Sequence, residues 1–422
     1  MKKILLVILV SFLSFFKTQA QPVDSLNFKI GQMIMIGLAK AQFDPEVAAA
    51  ITKGKVGAIL LFEKNIPPTN SYTNLKKILY SYQRLAPLPL FICIDQEGGR
   101  VNRLKEKYGF PRSITAAAMS KSKTLDSVRF YGASTASTLA GLGFNVNFAP
   151  VVDLAVNPTN PIIAKVERSF SNNEDTVVMM AEAFIQEHRK VGVLTALKHF
   201  PGHGSSKDDT HLGMADVTKT WTDRELIPYQ KIIQDGYVDA VMSSHIVNET
   251  LDKGRLPGTL SKDILDGILR KKLGFNGVVF SDDMQMQAIT KNYGFEESIK
   301  LAINAGIDIL CFSNNITGSE NRTVDKVHEI IRMYVERGEI SRERINESYA
   351  RIKKLKQRLN DTTGDALAKE LATANQEIMR LQQKVNQSKT TDTVKVDSNN
   401  IEKSVEQPLT KKEKRRLRKN KS

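Results

Sequence analysis

Eight short apolar runs recur along the chain after its N-terminal stretch, and segments with helical signals separate them. Several runs are apolar throughout instead of alternating with polar residues, which is typical of parallel strands covered on both faces. Strand and helix alternating in this way predict an α/β protein with a TIM-type (β/α)8 barrel, although the count also admits a doubly wound sheet. The runs cover residues 32–38, 56–62, 90–96, 144–154, 193–200, 239–246, 277–283 and 307–313.

Residues typical of helix ends lie between these runs. Ser171 with Glu174, and Thr222 with Glu225, have the spacing of a capping box, in which two side chains bond each other's backbone at a helix start. Gly236 stands where a helix is expected to end, because glycine adopts the left-handed conformation of a helix C-terminus without strain. The sequence therefore predicts helices that begin near 171 and 222.

The active sites of such barrels lie at the C-terminal ends of the strands, so functional side chains are expected where the apolar runs end. Four runs do end in polar residues. These are Asp95, Gln96 and Glu97 after the third run, Lys198 and His199 after the fifth, Ser244 and His245 after the sixth, and Ser281, Asp282 and Asp283 after the seventh.

The densest group of titratable side chains lies in residues 196–211, ALKHFPGHGSSKDDTH, which hold three of the six histidines. Such a cluster directly after a predicted strand is typical of a functional site. His211 is a candidate acid/base because the unperturbed pKa of histidine is about 6.5, and Asp209 can hold and polarise its imidazole. An alternative is that His199, His203 and His211 bind zinc in a metal-dependent hydrolase.

The seventh run, GVVFSDDM, carries two neighbouring carboxylates. Adjacent strand residues face opposite sides, so one of Asp282 and Asp283 is expected to point into the barrel mouth as a candidate nucleophile. With an acid/base from the loop after the fifth run, it would meet the two-group requirement of glycoside hydrolysis. After the third run, Arg103 can fold back towards Asp95, either as a clamp for sugar hydroxyls or as a structural salt bridge.

In their order and spacing, IDQEGGRVNR, ERSF, KHFPGHG with DDTH, and GVVFSDDM resemble glycoside hydrolase family 3, in its bacterial β-N-acetylglucosaminidase (β-N-acetylhexosaminidase) branch, over about residues 25–355. This resemblance implies a TIM barrel and a retaining mechanism through a covalent glycosyl-enzyme intermediate, without a metal or cofactor. It further implies that Asp282 is the nucleophile, His211 the acid/base and Asp209 its dyad partner. The sugar-binding positions it implies are Asp95, Arg103, Arg168, Lys198 and His199.

Two departures bear on specificity. The loop IIAKVERSF, with Glu167 before Arg168, replaces the glycine-bearing version that this family usually has, and a histidine stands where a second carboxylate is usual. A neutral imidazole would tolerate anionic groups near the leaving sugar, such as a muramic lactyl group or phosphate. We therefore expect an exo-β-N-acetylglucosaminidase that acts on peptidoglycan fragments. The alternatives are a β-glucosidase of the same family, a zinc-dependent hydrolase and a non-catalytic sugar-binding protein.

The N-terminus predicts export. Lys2 and Lys3 precede an apolar run over 4–16, and Thr18 and Ala20 have the small side chains of a cleavage site, so a secretory signal over 1–20 is expected. The run is shorter than the about 20 residues that span a bilayer, although an uncleaved anchor is the alternative. A periplasmic or extracellular location follows, and it argues against nucleic acid as a partner.

Only two cysteines occur, Cys93 and Cys311, and both lie inside apolar runs. A pair embedded in strands is more typical of two small buried hydrophobic residues than of a disulfide. A bridge would require their Cα atoms to lie within about 7 Å of each other.

The C-terminal part differs in composition. A last barrel helix is expected over 341–359, closing a catalytic domain over 21–359. Over 360–386, apolar residues from Leu367 to Val385 follow a heptad pattern, which predicts a lone helix or self-association through a coiled coil. Residues 387–422 are polar and disorder-like. Lys411 to Lys421 hold much of the net charge of +15, and we expect a solvated tail or a weak contact with an anionic envelope surface.

Overall fold

A computed structural model describes residues 25–208, 213–315 and 324–360. Within these residues eight parallel strands close into a barrel in the order β1-β10-β9-β7-β5-β4-β3-β2. Every predicted run supplies one barrel strand, so the (β/α)8 prediction is confirmed. The barrel strands are β1 Ile34–Gly37, β2 Ala58–Leu61, β3 Phe91–Ile94, β4 Val146–Asn147, β5 Leu194–Phe200, β7 Ala240–Ser243, β9 Val278–Asp283 and β10 Ile309–Phe312. The short strands β6 Ala215–Asp216 and β8 Ile246–Val247 form a separate two-stranded sheet.

The predicted signal peptide, the heptad segment from Leu367 to Val385 and the basic tail lie outside the described residues. So do Asp209 and His211.

Helices cover the outside of the barrel. The α-helices are α1 Leu26–Gln32, α2 Pro45–Thr52, α3 Ser71–Leu85, α4 Ala116–Ser120, α5 Leu125–Leu142, α6 Glu174–Lys190, α7 Ile227–Gln234, α8 Gln287–Tyr293, α9 Phe295–Ala305, α10 Val324–Glu336 and α11 Arg342–Gln357. A π-helix covers Asp263–Lys272, and 3-10 turns cover Glu63–Asn65, Glu106–Tyr108, Asp223–Leu226, Gly258–Leu260 and Arg358–Asn360. In the described part of the chain, no helix is both long and apolar enough to cross a membrane.

Aromatic side chains fill the barrel interior. The ring of Phe280 on β9 lies 6.1 Å from that of Phe91 on β3 and 5.1 Å from that of Phe148, centroid to centroid, in edge-to-face arrangements. All three rings are buried. This is a packed core, not a pore, so a functional site is expected at the face where the strands end.

The two predicted capping boxes are wrong. Helix α6 begins at Glu174, and its N-cap is Asn173, whose side chain accepts the Thr176 N–H at 2.9 Å. Ser171 instead accepts the N–H of Asn173 at 3.1 Å. Asn173, which directly precedes the helix, takes the N-cap role. The side chain of Glu225 turns inward to a different loop. Gly236 does follow α7 with a φ of 74°, so that prediction is confirmed.

Two buried aspartates hold the opposite, N-terminal end of the barrel together. Asp239, one residue before β7, accepts the Thr195 N–H at 3.0 Å and pairs with Arg189 at 2.7 Å. Asp308, one residue before β10, accepts the Val279 N–H at 3.0 Å. It also pairs with three guanidinium groups, those of Arg270, Arg344 and Arg351. Charged groups at this face of a barrel serve stability.

The two cysteines are free thiols and fully buried, on β3 and β10. Burial raises the pKa of both thiols well above the ordinary value, which keeps them protonated and unreactive. The prediction that they act as small buried hydrophobic residues is confirmed.

Candidate active site

A cavity of about 210 Å³ opens at the C-terminal end of the barrel. Six of the eight predicted site residues line it together, although the chain separates some of them by almost 190 positions. They are Asp95, Arg103, Arg168, Lys198, His199 and Asp282. Asp209 and His211, the other two, lie outside the described residues. Apolar side chains, among them Phe62, Ile162, Met242 and Met286, complete the wall.

Lys198 is the centre of the charged wall. It is only 1% exposed, and its ammonium lies 2.7 Å from Asp95 Oδ1 and 2.6 Å from Glu97 Oε1. The Arg103 guanidinium approaches the second oxygen of Asp95 at 3.8 Å, as the sequence predicted. This distance is an ion pair but exceeds a hydrogen bond, so both groups keep the capacity to bond a hydroxyl.

Glu97 is a site residue that the sequence did not single out. Its carboxylate accepts two bonds from Arg168, at 2.7 and 2.8 Å, in addition to the contact with Lys198. Burial by itself would raise the pKa of Glu97, but the attraction of Arg168 and Lys198 holds it well below its ordinary value. The carboxylate is therefore ionised and fixes two cations in the cavity wall. Its position at the end of the third run was the available signal.

His199 is held in one tautomer. Its Nδ1 lies 2.7 Å from Asp153 Oδ2, and its Nε2 lies 3.2 Å from a guanidinium nitrogen of Arg168. Arginine only donates, so Nε2 accepts and the Nδ1–H donates to Asp153. Burial by itself would raise the pKa of Asp153, but its contact with His199 lowers it. Asp153 is also a site residue that the sequence analysis missed. It ends the fourth apolar run, just as carboxylates end the third and seventh.

Two carboxylates accept hydrogen bonds from the backbone of β5 and of the turn that follows it. Asp153 accepts the N–H groups of His199 and His203, and Glu225 accepts that of Gly204 at 2.7 Å. Close approach requires glycine here, because a Cβ on Gly204 would lie 1.9 Å from the Leu154 carbonyl oxygen. This fixed turn brings His199 and His203 to the cavity. Burial lowers the pKa of His203 to about 4, so it is neutral at pH 7.

Asp282 and Asp283 are both among the residues that line the cavity, and the register between β9 and β10 is irregular at this point. That only one of the two carboxylates points into the barrel mouth stays a prediction. The two carboxylates differ in their partners. Asp283 accepts bonds from the Ser313 hydroxyl at 2.5 Å and from the Ser313 and Gln285 N–H groups, each at 3.1 Å. Asp282 accepts the N–H of Asp283 at 2.8 Å.

A catalytic zinc site needs about three ligating side chains in one place. In the ranges that the structure describes, no three His, Cys, Asp or Glu side chains are grouped so that they could hold a metal ion. His199 is committed to Asp153 and Arg168 through its two ring nitrogens. His211, the third member of the zinc hypothesis, lies outside the described residues.

Glu167, directly before Arg168, has a left-handed backbone conformation. Its φ is 57°, in the left-handed region that glycine favours. The side chain accepts a bond from the Thr115 hydroxyl at 3.0 Å. The loop therefore presents Arg168 to Glu97 in spite of the unusual residue.

Comparison with known proteins gives consistent matches. Residues 25–355 match the model of the glycosyl hydrolase family 3 N-terminal domain. The chain is 31% identical over 339 residues to beta-hexosaminidase A of Pseudoalteromonas piscicida, covering 76% of this chain and 56% of that protein. It is 33% identical to the beta-hexosaminidase of Tolumonas auensis, covering 68% and 84%. The structure of a family 3 beta-N-acetylglucosaminidase from a Paenibacillus species superposes with a TM-score of 0.72 at 32% identity, covering 79% of this chain and 62% of that one.

The parallel barrel, the carboxylates and cations around its mouth and these matches all indicate one family. The chain belongs to glycosyl hydrolase family 3, because the family model matches most of its length. It spans little more than half the length of the Pseudoalteromonas piscicida relative.

Proposed function

We propose that this protein is a retaining exo-β-N-acetylglucosaminidase that releases terminal β-linked N-acetylglucosamine. The observation that carries the proposal is the cavity in which Asp282, Lys198, Arg168 and His199 meet. Relatives named as beta-hexosaminidases and a structure named as a beta-N-acetylglucosaminidase support the choice of sugar.

In the proposed mechanism the Asp282 carboxylate attacks the anomeric carbon and forms a glycosyl-enzyme intermediate. The hydrogen bonds of the two neighbouring aspartates support the role of Asp282 as nucleophile. Asp283 accepts hydrogen bonds from Ser313 and Gln285, whereas Asp282 accepts the N–H of Asp283 and lines the cavity. Asp209 and His211 would form the acid/base dyad, in which the imidazole protonates the leaving oxygen and then activates water.

The charged and polar side chains around Lys198 suit sugar recognition. Asp95 and Arg103 are placed to bond vicinal hydroxyls, since a carboxylate accepts two and a guanidinium donates two. His199 is held in place by its contacts with Asp153 and Arg168, so its ring is fixed in the cavity wall. A cavity of about 210 Å³ is below the about 300–1,000 Å³ of most ligand pockets, which favours one sugar unit and therefore removal of terminal residues.

We further propose that the natural substrates are peptidoglycan fragments and that the protein is exported to the periplasm or beyond. The signal-like residues 1–20 support export. A neutral histidine acid/base would tolerate the lactyl carboxylate of a muramic leaving group. The basic residues from Lys411 to Lys421 would add weak attraction to anionic envelope material, screened by salt.

The proposal is tested with two aryl glycosides. The purified full chain should hydrolyse an aryl β-N-acetylglucosaminide far faster than the matching aryl β-glucoside, and EDTA should not reduce the rate. An activated 2-fluoro sugar should leave an adduct on Asp282 that peptide mass spectrometry can locate. A preference for the glucoside would refute the sugar assignment, and an adduct on another residue would refute the mechanism.

A further inference from the structure

A side chain outside the cavity is in direct contact with the turn that carries its histidines. Glu225, in the 3-10 turn Asp223–Leu226, is only 1% exposed, and its Oε2 lies 2.7 Å from the Gly204 nitrogen. Four residues earlier, the Trp221 indole N–H donates to the Pro201 carbonyl oxygen at 3.2 Å. The segment 221–225 therefore holds both ends of the turn 201–204.

The contact between Glu225 and the turn is tight. Gly202 has a φ of 116°, and a Cβ placed on it would lie 2.6 Å from the Cβ of Glu225. Only a glycine lets the turn lie this close to the carboxylate. Asp153 accepts the N–H of His203, the residue next to Gly204, from the β4 side. Two buried carboxylates thus support neighbouring peptide groups of one turn.

We propose that Glu225 is a positioning residue for the family 3 active site, which fixes the turn 201–204 and through it His203 and the preceding His199 in the cavity wall. It is not a catalytic residue, since it lies behind the turn and forms no part of the cavity lining among the described residues. The expected change in kcat rests on the proposed function, whereas the expected loosening of the turn rests on the geometry alone.

The charge on Glu225 affects this support. The groups that face it include Asp153 across the turn, the phenol of Tyr229 on α7, Ser205, and the backbone of Gly204. Burial, with repulsion from Asp153, raises the pKa of Glu225 to about 7, although hydrogen bonds from Ser205 and the Gly204 N–H oppose the change. A carboxylate accepts a hydrogen bond more strongly than a carboxyl group does. The turn should therefore be held more tightly as the pH rises through neutrality.

Three variants of the full chain test the inference. Glu225→Gln keeps the shape but removes the ionisation, and Glu225→Ala removes the contact. Glu187→Gln is the matched control, because Glu187 is a buried carboxylate on α6 that pairs with Lys190 at 2.7 Å. For each we would measure kcat and KM for the aryl β-N-acetylglucosaminide from pH 5 to 9. In parallel, the emission of Trp221, the only tryptophan of the chain, reports on the turn without any turnover.

We expect Glu225→Ala to lower kcat by about tenfold or more, because small displacements of positioned groups cost rates of this size. In Glu225→Gln the change in Trp221 emission near pH 7 should disappear, while Glu187→Gln keeps it. If Glu225→Gln retains this change, the inference is overturned. Should Glu225→Ala not fold, the emission profile of Glu225→Gln still decides. An inactive wild-type protein whose Trp221 emission titrates as expected would refute the proposed function but not the positioning role.

Discussion

Replacing Glu97 with glutamine would remove the one negative charge that Arg168 and Lys198 share. The side chain keeps its shape, but its amide nitrogen would have to face a cation. Three short contacts of 2.6 to 2.8 Å join this carboxylate to its partners, and all three side chains are largely buried. Removing one partner of a buried ion pair typically costs about 3–5 kcal/mol, because the remaining charges lose their compensation. We expect the free energy of unfolding to fall by this amount.

The assay is urea unfolding followed by circular dichroism, in which the free energy is obtained from the midpoint and the slope. Glu63→Gln is the control, since Glu63 also binds two lysines, Lys105 and Lys107, but at the surface. Exposed pairs contribute about 0–1 kcal/mol, so the control should change little. Equal losses in the two variants would refute the argument that burial makes the Glu97 network strong.

The stability that Glu97 contributes depends on pH with a definite sign. The pKa of Glu97 lies below its ordinary value in the folded protein, so its contribution is complete above that ordinary value, 4.5. It is lost only as the pH falls through the lowered, folded pKa. The difference between wild type and Glu97→Gln should therefore stay constant from pH 5 to 7 and narrow in stronger acid. With Arg168 and Lys198 no longer held, KM for the aryl β-N-acetylglucosaminide should rise as well.

Three further predictions concern single residues. Asp282→Asn should lower kcat by at least about 10⁴-fold with little change in the melting temperature, and substantial remaining turnover would rule Asp282 out as nucleophile. Glu167→Gly should stabilise the protein by about 1 kcal/mol, seen as a higher melting temperature, because the left-handed φ of 57° favours glycine; a lower one would show that the Thr115 contact matters more. The thiols of Cys93 and Cys311 should react with a thiol reagent only in denaturant, and rapid labelling of the native protein would contradict their burial.

The sequence by itself predicted the eight strands and the face to which the predicted site residues belong, whereas only the structure excluded a doubly wound sheet. Each apolar run became a strand, because a parallel strand covered on both faces needs a nearly continuous apolar sequence. The end of each run then defined the C-terminal face, which is why Asp95, Lys198 and Asp282 could be predicted to meet. These are properties of local patterns, and local patterns can be read along the chain.

Which polar groups pair was decided only by the tertiary structure. Glu97 meets Arg168 across 71 positions, and Asp153 meets His199 across 46. Glu225 had the spacing of a local cap for Thr222, yet it bonds Gly204 instead. A buried carboxylate goes to the donors that the closed barrel leaves next to it, because an unpaired buried charge costs far more than a helix cap gains. That competition depends on neighbours that only the folded chain brings together.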